Sequence, residues 1–156
     1  MITTMIGLLH PNEPVQSLDL EKYSGSWYVI GFIPTRYDRE WNYTVETYVL
    51  NTNGGYDVHT TYRVEDKEKS VRSKAFISKE NAAKWKVQYI WPFRADYWVI
   101  ELGDNYSYTV VGHPQHEFLY IMSRKPRMDD SLYNSIVERC RQKGYDTGKM
   151  EKQLQE

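Results

Sequence analysis

The sequence predicts an all-β fold: an eight-stranded antiparallel up-and-down β-barrel with one C-terminal α-helix packed outside. Three observations predict it. From Gly25 to Arg124, runs of roughly six to ten residues rich in Val, Ile, Thr, Tyr and Trp are separated by turn signals at short intervals, the pattern of successive antiparallel strands. After Pro126 the apolar period changes to that of a helix. At 156 residues there is one domain to build, and closing eight strands on themselves leaves no sheet edge exposed.

Residues 1–17 carry Pro11 and Pro14 without periodicity and read as a flexible lead segment, so the domain is 18–156. Leu18 to Tyr23 suggests one helical turn before Gly25. Strands are expected over 25–33, 43–51, 56–64, 70–78, 84–91, 97–102, 106–112 and 118–124. Asn53-Gly54-Gly55 and Gly103-Asp104-Asn105 tolerate positive φ, which suits tight hairpin turns and makes neighbouring strands pair in order. The alternation of Trp85, Val87, Tyr89 and Trp91 with Lys86, Gln88 and Ile90 gives one strand an apolar face. In the helix, Leu132, Tyr133, Ile136, Val137 and Cys140 form a stripe, Asp129 is its N-cap, and Gly144 ends it.

Composition narrows the function. Five Trp, 14 Tyr and 4 Phe supply large apolar bodies, many with a polar tip, which suits a sheet or a ligand cavity. The 20 basic and 21 acidic residues give no basic face for nucleic acid. A single Cys140 excludes an intramolecular disulfide and a Cys-based zinc site. The stretch from Met5 to Leu9 falls short of the ~20 residues a bilayer span needs, and no signal peptide or lipid-attachment cysteine is expected. His113 and His116, three apart around Pro114, make a poor metal pair, and no metal or cofactor is expected. His10 and His59 stand alone, and neither a Gly-x-Ser-x-Gly elbow nor a phosphate loop occurs, so no catalytic residue is assigned.

Gly25-Ser26-Trp27 at the start of the first strand, together with Leu119-Tyr120-Ile121-Met122-Ser123-Arg124 before a Pro-containing linker and a helix, resembles the lipocalin family. Asp104 and Tyr106 match two residues of a turn motif of that family. Trp85-x-Val87-x-Tyr89-x-x-Pro92-Phe93, Tyr97-Trp98-Val99-Ile100, Ser123-Arg124-x-Pro126 and Gly144-Tyr145-Asp146 resemble its bacterial branch. The resemblance spans roughly residues 18–150. It implies that Trp27 plugs the closed end of the barrel with Arg124 packed across its indole, a contact of ~0.5–2 kcal/mol. It also implies a periplasmic or outer-membrane location, with a cytoplasmic one as the alternative, because the sequence itself carries no export signal.

Strand order places the loops after strands one, three, five and seven at the mouth. Arg36, Arg39 and Arg94 lie in those loops and would meet an anionic head group. Strand parity selects Val29, Tyr48, Val58, Val87, Tyr89, Trp91, Tyr97 and Val99 as lining a cup. Alternation leaves open which row of strand two points inward; the resemblance favours the row of Tyr48, which contains Glu46. An unpaired buried carboxylate is costly, so Glu46 is expected near the solvated mouth or beside a rim arginine. The reading is a non-enzymatic carrier of one small lipid, a fatty acid or lysophospholipid, in possible proximity to a membrane. The rival is an enzyme on the same barrel, a lipid isomerase or a haem-dependent activity.

Overall fold

In the computed structural model, which describes residues 10–156, a one-turn α1 (Leu20–Tyr23) leads into β1 (Gly25–Ile33), β2 (Asn42–Leu50), β3 (Tyr56–Val64), β4 (Lys67–Ile77), β5 (Lys84–Ile90), β6 (Phe93–Leu102), β7 (Tyr108–Gly112) and β8 (Leu119–Ser123). The second helix, α2 (Asp130–Gln142), and a two-residue β9 (Glu151–Lys152) follow. From β1 to β8 each strand pairs antiparallel with the next, and β1 closes the ring by pairing with both β8 and β2. The expected barrel and external helix are therefore present. Gly54 and Asn105 take positive φ in the two closed-end hairpins, as their residue types suggested.

Several bounds differ from expectation. β4 begins at Lys67 rather than 70, and β6 at Phe93 rather than 97. Phe93-Arg94-Ala95-Asp96 shows no strand pattern by itself, but Ile90 pairs with Phe93, so a hairpin of only Trp91 and Pro92 carries the ladder straight through it. Tyr106, expected to start strand seven, lies instead in a 3-10 turn (Asp104–Tyr106).

The ninth strand was not expected, and with the tail after it it completes the wall. β1 and β2 pair over Gly25–Tyr28 and then diverge, leaving backbone groups that need partners. β9 pairs with Gly31 and Phe32. Gln153 N donates to Ile30 O and Tyr43 N to Leu154 O, both at 2.9 Å. Gln155 Nε2 reaches the carbonyls of Val29 and Thr44, each at 2.9 Å, and so bridges the two strands.

Period-two alternation divides the apolar residues into two cores. Trp27, Val29, Phe32, Tyr48, Tyr56, Val58, Trp85, Val87, Tyr97, Val99, Val111 and Met122 fill the barrel. Ile30, Ile33, Ile100, Val110, Leu119 and Ile121 face outward and meet Tyr133, Ile136 and Cys140 of α2. Full burial of such a side chain contributes ~1.5–3 kcal/mol, which is how a 13-residue helix is held. A register shift between Val29 and Gly31 lets two successive residues face α2. At Gly31 a Cβ would lie 2.2 Å from Tyr133 Oη, so only glycine permits that approach. Asp129 caps α2 through Leu132 N, and Gly144, at φ +99°, ends it.

The expectation of a flexible lead over residues 1–17 is corrected for its described part, because the segment before α1 is tied to the barrel from Asn12 onward; the stretch from Met5 to Leu9 lies outside the described residues. Asn12 donates to His113 O at 3.0 Å and accepts from Tyr145 Oη at 2.7 Å, and Val15 N donates to Val99 O at 2.9 Å.

Candidate functional site

The two ends of the barrel differ in kind. At the closed end Trp27 is fully buried, its Nε1 donating to Tyr23 O at 2.9 Å, and the Arg124 guanidinium lies 3.6 Å from its ring centroid. Tyr23, Tyr56 and Trp85 complete an aromatic floor, with Tyr23 and Trp85 centroids 5.1 Å apart and Tyr56 and Trp85 5.3 Å apart. Gly25, at φ +100°, brings the backbone within reach of Arg124. Gly25, Trp27 and Arg124 thus occupy one joint.

Above the floor the interior turns polar. Thr44, Glu46 and Tyr48 form the inward row of β2, and Glu46 is only 7% exposed. The phenols of Tyr48 and Tyr97 both reach Glu46 Oε1, Tyr97 at 3.1 Å, while the two phenol oxygens stand 2.6 Å apart. Two phenol protons serve three contacts, so the hydrogen bonds run either as two donors on one oxygen or as a relay from Tyr97 through Tyr48. Burial raises the Glu46 carboxyl above the usual carboxylate range, more than its hydrogen bonds lower it, and Asp38 adds to the rise. The expectation that Glu46 sits at the solvated mouth or beside a rim arginine is corrected: its partners are phenols. The sequence signal was its place in one alternating row with Tyr48.

Asp38, in the β1–β2 loop, is also buried and had not been foreseen. It accepts from Thr35 N at 2.7 Å, Thr35 Oγ1 at 2.9 Å and the Tyr120 phenol. This pulls the loop down over the mouth. Beside it lies a pocket of about 370 Å³ lined by Arg36, Tyr37, Arg39, Glu40, Trp41, Tyr62, Val64 and Lys69. Trp41 and Tyr62 stack there with centroids 3.6 Å apart. A larger pocket, about 550 Å³, lies against the outward residues Tyr28, Val45, His59 and Thr61 of the wall, beside Gln155 and Glu156. Its position outside the barrel separates it from the interior site.

Of the expected cup residues, Val29, Tyr48, Val58, Val87, Tyr97 and Val99 join the interior core. Tyr89 lies on the same row of β5 but is 52% exposed as a residue, while its phenol reaches in beside Ser73, where burial and then the nearby Glu46 raise its pKa. Trp91 is corrected. It sits at the β5–β6 hairpin tip and is 79% exposed, because the ladder shifts register after Val87 and the turn ends the alternation. Arg94 is corrected as well. Once β6 starts at Phe93, Arg94 falls on the row opposite Tyr97 and stacks on Phe76 outside the barrel at 3.7 Å, donating to Gln88 at 3.1 Å. Arg36 and Arg39 do line the mouth, joined by Lys69 from β4, which sequence reasoning missed because that strand was started too late.

The two loop histidines turn to different tasks. His113 Nδ1 accepts from Gln115 N at 3.1 Å, and a ring nitrogen of His116 lies 2.8 Å from Lys143 O at the end of α2.

A family model of the lipocalin-like domain matches residues 18–155. The chain is a lipocalin. It is 31% identical over 150 residues to temperature-induced lipocalin-1 of Arabidopsis thaliana, covering 90% of this chain and 81% of that protein. To the outer membrane lipoprotein Blc of Vibrio cholerae it is 27% identical over 154 residues, covering 96% and 90%. Among solved structures it resembles lobster apocrustacyanin A1 with a TM-score of 0.71 and 17% identity, over 87% of this chain and 79% of that one; that likeness concerns the fold alone. Lipocalins are in general binding proteins for small hydrophobic ligands. In this lipocalin the barrel is sealed at one end by Trp27, and the described pocket at the other end lies among Arg36, Arg39, Trp41, Tyr62 and Lys69.

Proposed function

We propose that this lipocalin carries one anionic amphiphile of the fatty-acid or lysophospholipid class, its acyl chain in the barrel and its head at the mouth. The observation that carries the reading is the mouth pocket itself, where Arg36, Arg39 and Lys69 surround a space of about 370 Å³. Cations beside an apolar passage match an anion joined to a hydrocarbon chain. Around the same mouth Ile90, Trp91 and Phe93 stand exposed at the β5–β6 tip. Grouped apolar residues of this kind mark contact surfaces, and here they suit a lipid surface from which the ligand is drawn. A periplasmic or outer-membrane setting accords with the relatives that are outer membrane lipoproteins.

The test is joint replacement of Arg36, Arg39 and Lys69 by Gln, followed by titration with a fatty acid and with a monoacylglycerol of the same chain. Three exposed ion pairs at ~0.2–1 kcal/mol each give about a tenfold loss for the fatty acid and a weaker salt dependence. Affinity for the neutral lipid should change little. Equal loss for both ligands would discard the head-group assignment.

A further inference from the structure

Glu46 is a carboxyl group with an unused oxygen inside the barrel. Both phenols converge on Oε1; Oε2 accepts from no side chain among the described residues. No Lys or Arg pairs with Glu46 or Asp38 among those residues. A carboxylate left in that state costs several kcal/mol, so a retained one calls for a partner.

Hydroxyls face inward from the two neighbouring strands. Thr60 is directly opposite Glu46 across the β2–β3 ladder, and Ser73 lies on the inward row of β4. Both residues are more than nine-tenths buried; the Thr60 hydroxyl has no hydrogen-bond partner, and the Ser73 hydroxyl is approached only by the Tyr89 phenol. A buried hydroxyl left unsatisfied costs ~1–3 kcal/mol. Inward-facing acceptors thus lie on three neighbouring strands, β2, β3 and β4, and aromatic faces line the interior around them. Trp85 stacks on Tyr97 at 5.3 Å, Tyr97 meets Phe118 at 6.3 Å, and Phe118 meets Tyr120 at 5.5 Å. A carboxylate, hydroxyl acceptors and aromatic faces together are the chemistry that recognises an organic ammonium ion.

We propose that the barrel interior is a site for a protonated amine borne on an apolar chain or ring, bound head-inward, with Glu46 Oε2 and the Thr60 and Ser73 hydroxyls as acceptors. This goes beyond the anionic amphiphile at the mouth: it is a second ligand class in the opposite orientation. Because burial favours the neutral carboxyl, a neutral amine can also enter and take its proton from Glu46, one proton moving from Oε2 to the amine nitrogen and leaving an ion pair in place. The hydroxyls then accept the remaining N–H groups.

The experiment compares dodecylamine, dodecanol and dodecanoate, each below its micellar concentration, by displacement of a fluorescent probe from the intact chain. The amine is expected to bind at least tenfold tighter than the alcohol. Glu46→Gln should abolish that preference while leaving dodecanoate within about twofold. Equal affinity for amine and alcohol, or a preference that survives Glu46→Gln, overturns the proposal. Should Glu46→Gln fail to fold, Thr60→Val with Ser73→Ala takes its place: a loss of amine preference of threefold or more supports the site, and an unchanged preference overturns it. Dodecanoate reports separately on the mouth. Its failure to bind removes the anionic-lipid reading and leaves the amine comparison standing.

Discussion

Arg124 lies flat across Trp27, its guanidinium carbon 3.6 Å from the ring centroid, and the same group donates to the carbonyls of Lys22 at 2.7 Å, Tyr23 at 3.2 Å, Ser26 at 3.1 Å and Tyr106 at 3.3 Å. One side chain thereby ties α1, β1 and the β6–β7 turn to the end of β8. Trp27→Ala should cost ~3–5 kcal/mol as a large-to-small core change. Arg124→Lys keeps the charge but not the fan of donors, and should cost about 2 kcal/mol. Urea midpoints check both, and an unchanged midpoint for Trp27→Ala would remove the plug.

Glu46 and Glu101 titrate in opposite senses. Burial, aided by Asp38, raises the Glu46 carboxyl against the hydrogen bonds from Tyr48 and Tyr97, with Tyr89 and Tyr23 also close enough to feel its charge. The folded state then holds a proton that the unfolded chain has released, so stability falls as pH rises from about 4.5 through the folded-state value. Glu46→Gln should lack that fall and be more stable than the parent at pH 7. Thermal melts from pH 4 to pH 8 measure it; parallel curves for the two proteins would contradict the raised value.

At Glu101 burial again pushes upward, but the bidentate Arg139 pair at 2.9 and 2.7 Å, the Tyr108 phenol at 2.7 Å and Lys143 together win, and the carboxyl is lowered. Its stabilisation is present above the ordinary carboxylate value and is lost as pH falls through the lowered one. Arg139→Gln should cost ~1–2 kcal/mol near neutrality, less than a fully buried pair because the guanidinium is partly exposed. The difference from the parent should shrink toward pH 3 in the same melts.

Removing Gln153–Glu156 strips partners from Ile30 O, Val29 O, Thr44 O and the amides of Tyr43 and Thr44. At ~1 kcal/mol per hydrogen bond the truncated chain should lose about 3–5 kcal/mol, and Gln155→Ala about 1–2 kcal/mol. Hydrogen exchange locates the loss: the Tyr43 and Thr44 amides should exchange faster, while those at the closed end keep their protection relative to global stability. Unchanged exchange at Tyr43 and Thr44 would mean the tail does not close the wall.

Cys140 is fully buried on the wall-facing side of α2, and desolvation pushes its thiol up to about 12. The native protein should therefore not react with a thiol-specific disulfide reagent at pH 8, since only thiolate attacks. Rising urea should bring reaction on with the unfolding transition. Prompt reaction of the folded protein would show that α2 lifts from the wall.

The barrel, the external helix with its Asp129 cap and most of the interior row were determined by sequence alone, and the Trp27 and Arg124 joint followed from the resemblance that the sequence motifs carry. Period-two and helical alternation are local, and burial of one face follows from them wherever the strands pair in order. Tertiary structure alone decided what depends on pairing partners. Whether Arg94 points in or out turned on where β6 begins, which the β5 ladder sets rather than residues 93–96 themselves. Trp91 was carried out of the interior by a turn that parity cannot see. Residues 151–155 show no period, and became part of the wall only because β1 and β2 part company there. Glu46 stood on a row whose inward sense alternation left open. Its surroundings, Tyr97 from β6 and Thr60 from β3, are set by closure of the ring, which brings residues 51 and 14 positions away against one carboxyl group.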